Sequence, residues 1–324
     1  MKVCIVGPGA IGGSIAHRFA ALKDLEVCVL ARGAHLAAIQ RDGLTMIERG
    51  ARATVRVGAA QDPAALGAQD VVILALKAYS LTGVAPTLAP LLKPDTVVVS
   101  VQNGIPWWYT HRAGGALDGQ RLEAVDPGGA IGAALDPSRV LGAVTYGGAR
   151  VPEPGVIDLS FDEVMVLGEP DGSASRRLAT VAELFARSGF KTETSDDIRK
   201  VIWMKLWGNA TMNPASVLVQ TTMDRMIHDP AVKATLAQAM VEVREVAGAL
   251  GFTFELSIEK RFEQALALGA FKTSMLQDLE AGRPLEIEAL VGIVVELARK
   301  VAMKVPVIET FYSLARLRGL SAAR

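Results

Sequence analysis

KVCIVGPGAIGG, residues 2–13, is the stretch that decides the fold. Its first five residues form a short apolar run of the kind that becomes a strand buried on both faces. Gly7, Gly9 and Gly12 follow in G-x-G-x-x-G spacing. Gly7 permits a tight turn and Gly9 lets the backbone come close to a pyrophosphate. Gly12 lets the following helix pack against the strand, and that helix points its N-terminus at the phosphates. Glycine spacing alone is weak in a chain with 31 glycines. A strand before it and a helix after it, expected over 11–22, supply the confirming context. Gly7, Gly9, Ala10, Ile11 and Gly12 are therefore the expected cofactor loop.

Outward from this loop the chain continues to alternate. EVCVLA (26–31), DVVILAL (70–76) and TVVVSV (96–101) read as buried strands, and helices are expected near 35–42 and 82–92. The stretch after Asp42 reads as irregular. Short apolar runs separated by helices indicate a parallel sheet covered on both faces. Between Gly104 and Glu169, glycine and proline punctuate short β-type pieces, VLGAVTYG, GVIDLS and VMVLGE. A helix over 174–188 and a short strand FKTET complete this part. Beyond Asp196 the pattern is almost entirely helical, and Ser195-Asp196-Asp197 offers capping chemistry for the next helix. The expected architecture is an α/β Rossmann domain over 1–195 followed by an all-α domain over 196–324.

Composition removes several function classes. Lysine plus arginine equals aspartate plus glutamate at 34 each, so no net field attracts nucleic acid or an anionic membrane. The first residues run straight into a strand and lack a signal-peptide pattern. No apolar run approaches the roughly 20 residues that span a bilayer. A cytoplasmic protein is expected, without nucleic-acid or membrane partners. Cys4 and Cys28 lie inside apolar strands and read as buried thiols rather than a disulfide or metal site.

The end of the second strand discriminates between cofactors. NAD-binding chains commonly place an acid there for the ribose 2′-OH. Here VCVLARGAH carries Arg32 and no acid before Asp42. A guanidinium suits a 2′-phosphate, which points to NADP(H); a plain surface arginine is the competing reading. His35 is either a helper at the adenine end or a solvated helix residue. Lys77 after the DVVILAL strand, and Asn103 in Gln102-Asn103-Gly104 after TVVVSV, fall where open α/β sheets bind ligands. Each also has a bland explanation, a solvated lysine and a turn dipeptide.

The most informative helical stretch is VIWMKLWGNATMNPASVLV, residues 201–219. Lys205, Asn209 and Asn213 recur every four residues, within about 80° of one helix face. They form either a sparse solvent face or a buried polar stripe in need of partners. Pro214 is expected to end or kink this helix. A lysine near a carbonyl can donate a proton and stabilise a developing alkoxide. In TSMLQDLEAGRPLEIEALVG, residues 273–292, Ser274 with Gln277 fits a capping box. Glu286 after Pro284 fits helix-dipole complementarity. Those local roles suffice for both residues.

Taken together, these segments resemble the ketopantoate reductase (2-dehydropantoate 2-reductase) family along nearly the whole chain. The matching pieces are GPGAIG, Arg32, LKA around Lys77, QNG around Asn103, K-x-x-x-N-x-x-x-N from Lys205 to Asn213, and SMLQD…EIE. The resemblance implies an active site in a cleft between the two domains, with Lys205 as general acid. Glu286 would complete the catalytic hydrogen-bond network. Asn209, Asn213, Ser274 and Asn103 would hold substrate, with Asn103 also near the cofactor. Arg32 and Lys77 would serve NADPH. The implied reaction is NADPH-dependent reduction of a 2-oxo acid, first of all 2-dehydropantoate to pantoate in pantothenate biosynthesis. Alternatives are a related oxidoreductase for a bulkier 2-oxo acid, and a catalytically silent NADP-binding sensor. Two departures bear on the substrate. QNG runs into IPWWYTH, with Trp107, Trp108 and Tyr109, and Met223 and Met226 stand where the family pattern has a polar substrate contact. Both suggest a wider, more apolar pocket. The expected partner is a small 2-oxo acid, and a homodimer is left open.

Titration of both cofactors tests Arg32. Pairing with a 2′-phosphate is worth roughly 1.5–3 kcal/mol, or about tenfold to a hundredfold in affinity. Arg32→Ala is expected to lose the preference for NADPH and keep most of its NADH affinity. Equal binding of the two by the unmodified protein would remove the assignment.

Overall fold

The computed structural model describes residues 1–322. Strand β1 (Lys2–Val6) feeds helix α1 (Ala10–Ala20), and β2 (Glu26–Leu30) feeds α2 (Gly33–Asp42). The stretch that reads as irregular holds three strands, β3 (Leu44–Glu48), β4 (Ala51–Val55) and β5 (Gly58–Ala60). Most of β4 is exposed, so no apolar run betrays it. Then come β6 (Val71–Leu74), α3 (Ala78–Val84) and β7 (Val97–Ser100). The helix expected over 82–92 is instead the end of α3 and two 3-10 turns, Ala85–Thr87 and Ala89–Leu91. Pro86 and Pro90 lack the N–H groups an α-helix would need there.

After α4 (Ala130–Ala134), the three short β pieces merge into two long strands, β8 (Val140–Glu153) and β9 (Val156–Gly168). They pair antiparallel, with Gly155 at φ +81 in the turn between them. Helix α5 (Arg176–Arg187) and β10 (Lys191–Thr194) close this part. The sheet order is β4-β3-β9-β8-β7-β6-β1-β2-β5, with β10 alongside β9. From β8 through β7, β6, β1 and β2 to β5 all pairs are parallel. Ile15, Ala16 and Phe19 of α1 pack into the apolar core over these strands, and Phe19 meets Phe185 edge-on at 5.0 Å. Cys4 and Cys28 are free, buried and opposite each other in register. Their mutual hydrogen bond and burial push the Cys4 thiol well up.

The remainder is helical: α6 (Ile198–Val219), α7 (Met223–His228), α8 (Pro230–Ala249), α9 (Ile258–Leu266), α10 (Ser274–Glu280), α11 (Ile293–Lys300) and α12 (Pro306–Ala322). Asp197 caps α6 through the Lys200 N–H at 2.9 Å, and Ser195 Oγ accepts from the Asp197 N–H. Pro214 does not end the helix, which continues to Val219. The Trp207 indole donates to the Met240 carbonyl at 2.8 Å and so fixes α6 to α8. The buried Glu242 carboxylate accepts the Val307 and Ile308 N–H groups at the start of α12. It thereby satisfies two donors that a helix N-terminus leaves open. An α/β Rossmann-type unit is thus followed by a helical one. The contacts divide the chain within α6, between Val201 and Ile202, and also assign Asn103–Ile105 and Leu122–Val125 to the helical unit. Among the described residues no helix is long and apolar enough to cross a membrane.

His17 in α1 donates through Nε2 to the Ala53 carbonyl at 3.0 Å, while its buried Nδ1 has no hydrogen-bond partner among the described residues. Burial holds its pKa below the ordinary 6.5. The unfolded chain therefore takes up this proton where the folded one does not, so stability is lost as pH falls below 6.5. The urea midpoint is expected to fall between pH about 6.5 and 5 less steeply in His17→Gln than in the unmodified chain. Parallel profiles would show that His17 does not carry the effect.

Candidate active site

The glycine loop has the shape its sequence requires. Gly7 sits at φ +86, and a Cβ there would lie 2.5 Å from Leu76 Cδ2. A Cβ on Gly12 would lie 2.2 Å from the Gly7 carbonyl oxygen. Nothing stands within 4 Å of a Cβ built on Gly9, so the space in front of that residue is open. Gly9 is the N-cap of α1; the helix has no side-chain cap and no acid in its first turn. Its first N–H groups and positive dipole end suit an anion. Gly13, which the spacing argument passes over, brings α1 against β9, because a Cβ there would meet Ile157 Cδ1 at 2.4 Å.

The other cofactor candidates of this unit lie at strand ends. Arg32 is exposed at the N-cap of α2, directly after β2. Lys77 is half-buried at the N-cap of α3, after β6. Gln102, after β7, accepts from Ser100 Oγ at 3.0 Å, and its buried Nε2 has no hydrogen-bond partner among the described residues. A buried donor without a partner is costly unless a ligand or water meets it. These features fit a dinucleotide.

In the helical unit the α6 stripe is not a solvent face. Lys205 and Asn209 are half-buried and Asn213 is only 5% exposed. The Asn213 carbonyl accepts from Ser216 Oγ at 2.7 Å, and that hydroxyl also bonds Thr273 Oγ1 at 2.6 Å. Thr273 in turn accepts the Leu276 N–H and is the N-cap of α10. The cap is therefore Thr273 and not Ser274, which is exposed as the first helical residue. A chain of hydroxyls thus ties the Asn213 end of α6 to the backbone beside Ser274.

Glu286 is buried and lies just before a helix, where its carbonyl accepts from the Leu290 N–H. The approach to it is fixed by Arg283, whose Nε and backbone N–H both donate to the buried Asp278 at 2.8 Å. Two residues beyond Glu286 begins a π-helical turn, Glu288–Gly292. The Tyr312 hydroxyl donates to the Glu288 carboxylate at 2.9 Å. Such turns widen a helix and recur at functional sites. Here the Ala289 carbonyl accepts the Ile105 N–H at 3.3 Å. Gly104, at φ +84, leans so close that a Cβ would sit 2.1 Å from the same oxygen. This contact docks the turn that follows Asn103 three residues beyond Glu286. Asn103, Asn209, Asn213, Ser274, Glu286 and Lys205 all belong to the helical unit, and the glycine loop, Arg32 and Lys77 to the Rossmann unit.

Several expectations are corrected. Trp107, Trp108 and Tyr109 are buried, and the Trp108 ring fills the space that a Cβ at Gly142 would need. Arg199, which no motif flagged, holds this loop by donating to the carbonyls of Tyr109, His111 and Pro170. Met223 and Met226 are likewise core residues. His35 is not solvated; both ring nitrogens are bonded, to the Pro8 carbonyl at 2.7 Å and the Gly155 N–H at 3.0 Å.

Comparison with known proteins follows the same division. The family model for ketopantoate reductase PanE/ApbA matches residues 3–172, and that for its C-terminal part matches 197–319. The chain belongs to the ketopantoate reductase family. It is 45% identical to a 2-dehydropantoate 2-reductase of Mesorhizobium japonicum over 98% of this chain and 97% of that one. A 2-dehydropantoate 2-reductase of Halobacterium salinarum is 28% identical over 98% of both. A solved structure from Ralstonia solanacearum, described as a candidate ketopantoate reductase, is 46% identical with a TM-score of 0.94, covering 99% and 98% of the two chains. A D-mandelate dehydrogenase solved with NADH shares the fold, at 20% identity and a TM-score of 0.84 over the full length of both chains. The chain is an oxidoreductase acting on a CH–OH/C=O group, and family membership with a Rossmann-type unit implies a nicotinamide cofactor.

Proposed function

We propose that this chain reduces a 2-oxo acid to the 2-hydroxy acid with NADPH, with 2-dehydropantoate as the first candidate and Lys205 as the proton donor. The observation that carries this reading is the burial of the Lys205–Asn209–Asn213 stripe. On a solvated face these three would be exposed, whereas Asn213 is buried and the other two are half-buried. A polar stripe set back from water in this way suits a substrate that carries a carboxylate, a carbonyl and hydroxyls.

When bound, the nicotinamide cofactor supplies the hydride. Gly7, Gly9, Ala10, Ile11 and Gly12 would hold its pyrophosphate on the open N-terminus of α1. Lys77, Gln102 and Asn103 lie near the carboxyl ends of strands, where dinucleotides bind. Arg32 supports NADPH over NADH: an exposed guanidinium follows β2 where an NAD site commonly has a carboxylate. The Lys205 ammonium donates a proton to the carbonyl oxygen and stabilises the negative charge that develops there. Asn209, Asn213 and Ser274 orient the acid, and Glu286, fixed before the π turn, accepts from a substrate hydroxyl or the lysine.

Steady-state kinetics on a series of 2-oxo acids with NADPH test the reading. Lys205→Ala is expected to cut kcat by about 10²–10⁴-fold, the usual worth of a positioned acid, and to leave the Kd for NADPH nearly unaltered. Glu286→Ala should depress kcat/KM on the same substrate. A folded Lys205→Ala protein with near-normal turnover on its best substrate would take the lysine out of the mechanism.

A further inference from the structure

The β8–β9 hairpin reaches the cofactor loop at a place the family motifs do not touch. A cavity of about 330 Å³ is lined by Gly9 and His35 on one side and by Val151, Pro152, Glu153 and Pro154 of the hairpin tip on the other. All six belong to the Rossmann unit. Gly9 is the loop residue with open space in front of it, and it lines this cavity.

The tip is held at several points. Gly155 donates its N–H to His35 Nδ1 at 3.0 Å, and its carbonyl accepts the Thr45 N–H of β3 at 2.9 Å. A Cβ on Gly155 would lie 3.1 Å from Ala38 Cβ of α2, so the turn rests on that helix. His35 Nε2 donates to the Pro8 carbonyl at 2.7 Å, inside the glycine loop itself. One imidazole therefore bridges loop and hairpin, and the pair of bonds fixes its tautomer, Nδ1 accepting and Nε2 donating. Val151 remains 40% exposed although it is apolar. The two prolines add rigid rings without N–H groups that would need hydrogen-bond partners. Glu153, the one carboxylate of the lining, faces Arg52 at 3.5 Å, which offsets its charge towards a phosphate.

We infer that Val151–Pro154 is an apolar outer wall for the adenosine-diphosphate half of the dinucleotide, and that His35 is the positioning residue that clasps this wall to the glycine loop. The inference rests on the cofactor reading given above and adds to it a recognition element from outside the G-x-G-x-x-G motif. The α1 N-terminus serves the charged diphosphate, and the wall covers the less polar sugar and base. Burial of apolar ligand surface against Val151, Pro152 and Pro154 adds affinity to that of the glycine loop.

Equilibrium titration with NADPH and with 2′-phospho-ADP-ribose, which lacks the nicotinamide half, tests this directly. His35→Ala is expected to raise both Kd values by the same factor, about tenfold, the effect of uncovering roughly one small apolar side chain's worth of surface. His35→Gln, which keeps a donor for the Pro8 carbonyl, should recover part of the loss. Pro152→Gly/Pro154→Gly leaves the clasp in place and should weaken both ligands alike, so the expectation stands even if His35→Ala fails to fold. Unaltered Kd values for 2′-phospho-ADP-ribose in the folded variants, or a loss confined to NADPH, would overturn the inference alone. An unmodified protein that binds neither ligand would overturn the cofactor reading and this inference with it.

Discussion

The proposed site depends on one close approach, that of Gly104 to the Ala289 carbonyl. The turn after β7 and the segment after Glu286 are far apart in sequence, yet their backbones meet with no room for a side chain between them. The contact has two parts. Ile105 gives its N–H to Ala289, and Gly104, at positive φ, brings its own backbone against the same carbonyl. The accepting carbonyl lies within the π turn, so the widened turn and the loop after Asn103 meet at one point. Around it, Arg283 with Asp278 and Tyr312 with Glu288 fix the two flanks, leaving Glu286 buried in a defined place.

The Rossmann unit solves a related problem with glycine. Gly7, Gly12 and Gly13 each stand where a methyl group would collide, with Leu76, the Gly7 carbonyl and Ile157 respectively. They let α1 settle onto the sheet and bring its N-terminus to the loop. Gly9 differs, because it faces open space rather than protein. Three of these glycines are therefore explained by packing, and one by what must approach from outside. The hairpin tip beyond Gly9 gives that space a second wall.

Most of the architecture was legible because its signals are local. The alternation of apolar runs with helices, the glycine spacing and the four-residue recurrence of Lys205, Asn209 and Asn213 are written in short stretches. Whether that recurrence marked a solvent face or a buried stripe was not, since it depends on what covers α6. The missed strands β3, β4 and β5 fail for a physical reason: β4 is an exposed edge, and β3 is only partly buried. Trp107 and Trp108 follow the QNG turn directly and so looked like pocket residues. The Trp108 ring packs against Gly142, and Arg199 holds the loop through the Tyr109 carbonyl, both distant in sequence. The helix cap moved from Ser274 to Thr273 because Thr273 also bonds Ser216, a tertiary partner no local pattern contains. Glu286 read as a dipole-complementing acid, and the π turn beyond it meets the loop after Asn103, a contact distant in sequence that no local pattern contains.

The most direct measurement of this account is the activity of Gly104→Ala, purified as a folded protein. The added methyl would meet the Ala289 carbonyl at 2.1 Å and sit on backbone at φ +84, so the docked turn must give way. Displacing Asn103 by about an ångström should lower kcat/KM on the best 2-oxo acid by roughly a hundredfold, while the glycine loop of the Rossmann unit is untouched. Binding of 2′-phospho-ADP-ribose to that loop should then be retained. A folded Gly104→Ala protein with the kcat/KM of the unmodified chain would show that the docking of Asn103 on the π turn does not organise the site.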